Sequence, residues 1–361
     1  MNHAVRYSSL GGPEVLEVVE VPAAEAGPGE VVVEVFAAGI NPAESAARRG
    51  EAPDGRHPVL PAASGREFAG LVVATGEGVT RFANGDEVIG LVDSGAHATH
   101  VVAPEAALVH RPAGVGWEIA AALPVAGATA WQAVESLGLS ERDTVVVTAA
   151  AGGVGCLAAQ LARLHGATVI GTTADARFDF LRQFGVIPVG YGPGLAERVR
   201  AAAPGPVTAF LDFLGGEAEA AAELGVAPSR VLTTLDHAAV EGGRASIVEP
   251  GDRVALERIA QAIADRKVRL PIADIVPLEH VADAYRTLDR RDAPGKIVLG
   301  MRVVDYPAQR THEPALKEQD VTLGVATPHE HVEVTEQIPP AIADGSVRRR
   351  HREERAARDE E

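Results

Sequence analysis

The sequence predicts an α/β protein in which a doubly wound parallel sheet is joined to a smaller β-barrel-like domain. Three observations carry this. From about residue 121, helical stretches alternate with short apolar runs, the order expected of parallel strands joined by helical crossovers. One such run, Asp143-Thr144-Val145-Val146-Val147, passes directly into TAAAGGVG, residues 148–155, and then into the helical pattern CLAAQLARL. Before about residue 120 the chain instead reads as short β-branched runs broken by turn residues.

Taken in order, strands are expected at VLEVVEVP, EVVVEVFAAGI, FAGLVVATG, DEVIGLV and HATHVVAP, separated by Gly-Pro, Gly-Glu and Asn-Gly breaks. Helices follow at AALPVAGATAWQAVESLG, CLAAQLARLHG, DFLRQFG and LAERVRAAA, interleaved with strands at TVVVTA, ATVIGTT, AFLDFLG and RVLTTL. After about residue 249 come ALERIAQAIADRKV, IADIVPL and EHVADAYRTLDRR, the last with Val281, Ala284, Tyr285 and Leu288 on one helical face. A strand at GKIVLGM closes the pattern near residue 302. The implied domains are 1–120, 121–248 and a returning segment 249–302, with 303–361 as a polar C-terminal extension. Within it DVTLGVAT and HVEVTEQI are spaced for a hairpin around Pro328. The rest of the extension has too little apolar surface to offset its ordering entropy, so disorder or dependence on a partner is expected.

With 361 residues, 46% of them hydrophobic, the chain supplies cores for two domains. A net charge of -17 without a dense basic patch in the body excludes a nucleic-acid binder. No apolar run approaches the roughly 18 residues of a membrane span, and the first residues lack a charged segment followed by an apolar one, so a cytoplasmic protein is expected. Cys156 is the single cysteine, which rules out an intrachain disulfide framework and any cysteine-rich zinc site.

The strand, glycine turn and helix at 143–164 place free backbone N–H groups and the positive end of a helix dipole at one point. That is an anion site, and glycine lets a pyrophosphate approach closely. Because the loop opens a full βαβ unit, with the helix ending at His165-Gly166 and a strand following at 167–173, dinucleotide binding is expected through Ala150, Gly152, Gly153, Val154 and Gly155. An NAD site usually ends the second strand with an acid that takes the ribose hydroxyls. Here Thr172 and Thr173 stand in that place, with Asp175 and Arg177 just beyond. Small hydroxyls and a cation favour NADPH, although an inward Asp175 would repel the 2'-phosphate.

These features resemble the medium-chain dehydrogenase/reductase superfamily, and within it the zinc-independent quinone oxidoreductase branch. The resemblance covers about residues 3–302 and rests on AGINPAESAARRG, LPAASGREFAGLVVATGEGV, RFANGDEVIG, ALPVAGATAWQAV, VVVTAAAGGVG and GKIVLGM, in that order. It implies a GroES-like substrate domain built from both ends of the pattern around a central Rossmann domain, an active site between them, and a homodimer or homotetramer. Zinc-dependent members place Cys where Asn41 stands and His where Arg66 stands, and catalytic zinc needs about three protein ligands. No catalytic metal is therefore expected, and hydride should pass to quinones or α,β-unsaturated carbonyls. The resemblance further implies that Asn41 lies near the nicotinamide or the substrate oxygen and that Thr129 touches the nicotinamide end. For Asn41 a turn residue before Pro42 is the competing reading; for Thr129 it is helix packing. Tyr191 resembles the family's aromatic residue near the adenosine, and Phe213, Leu214 and Leu235 stand where strand ends face the nicotinamide; core packing competes for all four. Where the family usually shows Asp, this chain has Glu44, which is expected to pair with Arg66 at the cleft mouth.

No Tyr or Lys stands out as a proton donor, so solvent is expected to protonate the product. An enoyl-thioester or secondary-metabolite tailoring reductase, and a non-catalytic NADPH-binding sensor or assembly protein, are the alternatives. Cys156, in the first turn of the helix over the phosphate site, reads as a small buried side chain. His312, His329 and His331 read as solvated, and His237 is set aside.

Overall fold

The computed structural model describes residues 2–52, 58–234, 244–245, 252–291 and 293–301, all within a contact unit that runs Met1–Asp305. The expected extension 303–361, with its histidines, lies outside the described residues, as do Leu235 and His237.

Alternation of apolar and polar residues builds the first half. β1 (Asn2–Tyr7) pairs antiparallel with β2 (Glu17–Val21) and buries Ala4, Val5 and Tyr7. Its sequence, NHAVRY, carries no strand signal of its own. β3 (Glu30–Gly39) carries Val31, Val32, Val33 and Val35, all buried, and is the longest strand because it is shared on both sides. The next segment, to which the sequence pattern assigns no element, is a helix: α1 (Pro42–Arg49) has Asn41 as its N-cap, Pro42 at its first position and Glu44 reaching back to the Asn41 N–H at 2.9 Å. β4 (Ala62–Ala63), β5 (Glu67–Thr75), β6 (Glu87–Leu91), β7 (His100–Pro104) and β8 (Leu108–His110) complete this part. A short helix, α2 (Trp117–Ala121), and then the 15-residue α3 (Leu123–Leu137) lead out of it.

The parallel sheet follows. β9 (Thr144–Val147), α4 (Gly153–Leu164), β10 (Thr168–Thr173), α5 (Phe178–Arg182), β11 (Ile187–Gly190), α6 (Leu195–Ala202), β12 (Ala209–Asp212), α7 (Ala218–Glu223), β13 (Val231–Thr233) and β14 (Arg244–Ala245) alternate along the chain. In space the order is β11-β10-β9-β12-β13-β14. β9 and β12 are neighbours although two strands intervene in sequence, so the order reverses between them and leaves a crevice at their carboxyl ends. α3 buries Ala126, Ala128, Ala130 and Ala133, small enough for both α4 and α8 (Arg253–Ala264) to pack on it.

The chain then returns. β15 (Ile272–Pro277), α9 (Val281–Asp289) and β16 (Lys296–Gly300) follow α8, and β16 pairs antiparallel with β3, giving a sheet ordered β15-β16-β3-β5-β6-β8, with β7 also on β3. Residues near 297 thus lie beside residues near 39, and this contact brings the last strand to the start of α1.

At the opposite, amino end of the parallel strands, Arg230 donates to the Thr208 and Leu137 carbonyls at 3.0 and 2.7 Å and to Asp143 Oδ1 at 2.6 Å. It thereby holds the end of α3 and the starts of β9 and β12 together. Arg230→Ala is expected to cost about 1.5–3 kcal/mol of stability through the lost charge-assisted bonds. A denaturation midpoint equal to that of the wild type would refute this.

Candidate active site

The glycine loop leaves β9 at the crevice. Thr148 donates its hydroxyl to Asp212 Oδ1 at 2.7 Å and accepts the Phe213 and Leu214 N–H groups at 2.8 and 3.0 Å, which ties the ends of β9 and β12. Ala149 then adopts a left-handed conformation, φ 48°, at a cost for a non-glycine residue of about 1–3 kcal/mol. Two bonds from β10 hold it there: the Ala149 N–H reaches Thr172 Oγ1 at 3.2 Å and the Ala150 N–H reaches the Thr172 carbonyl at 3.0 Å. The three glycines differ in what they avoid. A Cβ on Gly155 would lie 2.4 Å from the Ala149 oxygen, and one on Gly153 would lie 2.6 Å from Lys296 Cδ. These two are glycine because of the protein itself. A Cβ on Gly152 would meet only the Ala149 oxygen, at a tight 3.3 Å, so this position is the least enclosed of the three. The N–H groups of Gly153, Val154 and Gly155 begin α4, where no earlier turn supplies their acceptors. The less enclosed Gly152 beside free N–H donors fits the pyrophosphate of a dinucleotide.

At the end of β10 the two threonines divide. Thr172, expected at the ribose, is 1% exposed and its hydroxyl is taken by the loop, so it acts from beneath as a support. Thr173 is buried, but among the described residues its hydroxyl has no hydrogen-bond partner. Asp175 is exposed, and Arg177, half-buried, has no partner for its guanidinium among the described residues. Tyr191 is 58% exposed, which rules out core packing for it. Arg198, which the sequence pattern does not single out, fixes the Tyr191 loop by donating to the Gly190, Gly192 and Pro193 carbonyls at 2.9, 2.8 and 2.7 Å. Because Thr173 pairs with Gly190, the Arg177 turn and the Tyr191 loop leave adjacent strand ends. Phe213 is half-buried at the end of β12, with its N–H on Thr148.

Asn41 is 6% exposed and sits in a network that the sequence did not announce. Its Nδ2 donates to Glu67 Oε1 at 2.9 Å, and its Oδ1 accepts from Lys296 Nζ at 2.7 Å. Lys296 Nζ donates as well to Glu67 Oε1 at 2.7 Å and to the Ile40 carbonyl at 2.8 Å. Glu67, 0% exposed, receives the Val125 N–H of α3 on its other oxygen at 2.8 Å. An ammonium only donates and a carboxylate only accepts, so the two ends of the Asn41 amide are assigned by chemistry. Among the described residues, one Nδ2 hydrogen is left uncommitted. Thr129, one turn beyond Val125, donates its hydroxyl to the Val125 carbonyl at 2.7 Å and is left as an acceptor.

The expected pairing of Glu44 with the Arg66 guanidinium is corrected. Glu44 accepts the backbone N–H of Arg66 at 3.1 Å, the backbone N–H of Asn41 at 2.9 Å and the Tyr285 hydroxyl at 2.7 Å. The longer Glu reaches three donors on three elements, while the half-buried Arg66 head has no partner among the described residues. Burial, followed by the Glu44 carboxylate, pushes the Tyr285 phenol well above its ordinary range.

Comparison with known proteins agrees with this architecture. Residues 27–113 match the alcohol dehydrogenase GroES-like domain and residues 169–299 match the zinc-binding dehydrogenase family. A solved NAD-dependent alcohol dehydrogenase is 30% identical, with a TM-score of 0.75 over 83% of this chain and 100% of that one. The chain belongs to the medium-chain dehydrogenase/reductase superfamily, in its quinone oxidoreductase branch. The quinone oxidoreductase of Escherichia coli, solved with NADPH, is 25% identical with a TM-score of 0.74 over 82% of this chain and 99% of that one. A chloroplastic quinone-oxidoreductase homolog of Spinacia oleracea is 36% identical over 193 residues, 51% of this chain and 59% of the relative's length. No group of three or more His, Cys, Asp or Glu side chains among the described residues is placed to hold a metal ion, and none of the described helices is long and apolar enough to cross a membrane.

Cys156 is 1% exposed in the first turn of α4, and burial pushes its thiol up to about 12 against the smaller, lowering effect of the Gln160 amide. With the folded value raised above the ordinary 9.0, the neutral thiol favours the fold below pH 9 and that contribution is lost as pH rises through about 12. The native protein is expected to resist a thiol-specific disulfide reagent at pH 8 and to react fully once denatured. Rapid stoichiometric reaction of the native protein would contradict the buried assignment.

Proposed function

We propose that the protein is an NADPH-dependent oxidoreductase that passes hydride to a quinone or an α,β-unsaturated carbonyl without catalytic zinc. The observation that carries this reading is the meeting of two sites on one side chain. The stem of Lys296 lies under Gly153 of the phosphate cradle, and its ammonium holds Asn41. Asn41 and Arg66 stand where zinc-dependent relatives have ligands, and a carboxamide already bonded to an ammonium is a poor metal donor.

When bound, NADPH would supply the hydride. The chain's own part is to bind, orient and stabilise. Gly152, Gly153, Val154 and Gly155, braced by Ala150, receive the pyrophosphate. Thr173 and Arg177 receive the ribose and its 2'-phosphate, with Tyr191 beside the adenosine. Phe213 and Thr129 complete the nicotinamide end. The uncommitted Nδ2 hydrogen of Asn41 donates to the substrate carbonyl oxygen, where negative charge develops. Solvent supplies the proton. By analogy with its superfamily we take the protein to act as a homodimer or homotetramer in the cytoplasm, with no nucleic-acid or membrane partner.

NADPH oxidation in the presence of quinones, enones, enoyl thioesters and aldehydes tests the reaction class, and activity confined to enoyl thioesters would replace the present reading. The cofactor choice has its own test. Arg177→Ala should weaken NADPH binding by about tenfold to a hundredfold, the worth of a charge-assisted bond, and leave NADH nearly unchanged. Equal losses for both nucleotides, measured by nicotinamide fluorescence, would reduce Arg177 to a structural role, and a wild-type preference for NADH would give the ribose to Asp175.

A further inference from the structure

Lys296 is a buried cation for which the reaction outlined above needs no proton. It is 6% exposed, and its three ammonium hydrogens have three acceptors, the Ile40 carbonyl, Asn41 Oδ1 and Glu67 Oε1, at 2.8, 2.7 and 2.7 Å. Nothing in this satisfied arrangement is available to a ligand. Its stem has a separate job, because Cγ and Cδ occupy the space in which Gly153 lacks a side chain. The residue before it adds a backbone tie: the Gly295 N–H donates to the Ala151 carbonyl at 2.8 Å, and Gly295 bridges Gly152.

We infer that Lys296 is a positioning residue with two functions, its ammonium fixing and polarising the Asn41 carboxamide as a donor and its stem setting the glycine loop on which the dinucleotide sits. The inference rests on the hydride-transfer reading for the purpose of the first function and on the loop geometry alone for the second. Without the ammonium, the Asn41 amide has no group that distinguishes its oxygen from its nitrogen except one oxygen of Glu67. With it, the amide oxygen is held by a charge-assisted bond, which draws electrons from the nitrogen and makes its remaining hydrogen a stronger donor. The positive charge that zinc-dependent relatives place at a metal is supplied here from behind the amide.

Removing Lys296 alone strands the Glu67 carboxylate, so the variants are paired. Glu67→Gln/Lys296→Met removes both charges and keeps the stem; Glu67→Gln/Lys296→Ala removes the stem too; Lys296→Arg keeps a cation. The Asn41 side-chain N–H resonances of the full-length protein, assigned by their loss in Asn41→Asp, report the first function without turnover. Their exchange with water should quicken by about tenfold or more in the Met double variant, the equivalent of one modest hydrogen bond, and stay slow in Lys296→Arg. Unchanged exchange in the Met double variant would overturn the positioning of Asn41, whatever the activity. NADPH affinity, read by fluorescence with no acceptor present, should be about tenfold weaker in the Ala than in the Met double variant, the scale of a buried packing loss. Equal affinities would overturn the link to the loop. With a quinone acceptor, the Met double variant should lose kcat by about tenfold to a hundredfold, the worth of a charge-assisted bond, with KM little changed; wild-type kcat would overturn the polarising role. Absence of turnover in the wild type, with the exchange and affinity results as expected, supports the positioning and overturns the hydride-transfer reading instead.

Discussion

A carboxylate with no exposure to water must find its donors inside the protein, and Glu67 finds three on three separate segments. Asn41 comes from the start of α1, Val125 from the start of α3 and Lys296 from the last strand. Breaking one member of such a pair costs about 3–5 kcal/mol, because the remaining charge is left without compensation. The relative placement of these segments is therefore a condition for burying Glu67 at all. The cleft geometry follows from it: α1 begins where Asn41 is held, α3 begins where its Val125 N–H meets the carboxylate, and β16 is drawn against β3.

Much of this architecture was legible in the sequence and some was not, for identifiable reasons. Parallel strands and crossover helices declare themselves by local periodicity, so β9 and β10 lie within a residue or so of the expected bounds, while α4 begins at Gly153, three residues before the expected Cys156, because its first turn is built from the loop's own glycines. The helix after Asn41 was missed because Asn-Pro also begins turns, and only the reach of Glu44 back to the Asn41 N–H distinguishes the two locally. β1 was missed because six residues with mixed burial offer little pattern. The glycine loop was read correctly as a loop, but the reason for its glycines was only partly a ligand: Gly153 and Gly155 answer to Lys296 and to Ala149. Thr172 shows the same limit, since a strand-end hydroxyl looks alike in sequence whether it faces a ribose or the loop above it.

Lys296 and Tyr285 illustrate a different difficulty. Both lie in segments chosen by their apolar neighbours, GKIVLGM and one face of EHVADAYRTLDRR, and each side chain finds its polar partner far away in sequence, Lys296 on Glu67 at a separation of 229 and Tyr285 on Glu44 at 241. A lysine at a strand start is weakly marked as internal by its local sequence. The Gly-Lys step before an apolar run was the available signal, because a cation at the edge of a fully buried strand needs an acceptor nearby.

The tie between Gly295 and the nucleotide loop has a consequence for how the chain is made. Emerging from a ribosome, the polypeptide exposes TAAAGGVG long before Lys296 and Gly295 exist, and Glu67 waits still longer for its cation. A nascent parallel sheet can form around β9 and β10, but the floor beneath Gly153 and the backbone bridge at Gly152 arrive only with the final strand. Contacts of such sequence separation are the slow ones to close. A chain stalled or clipped before residue 296 would thus carry a recognisable dinucleotide motif with an unfinished cradle and a stranded acid, an intermediate suited to capture by chaperones and proteases rather than by cofactor.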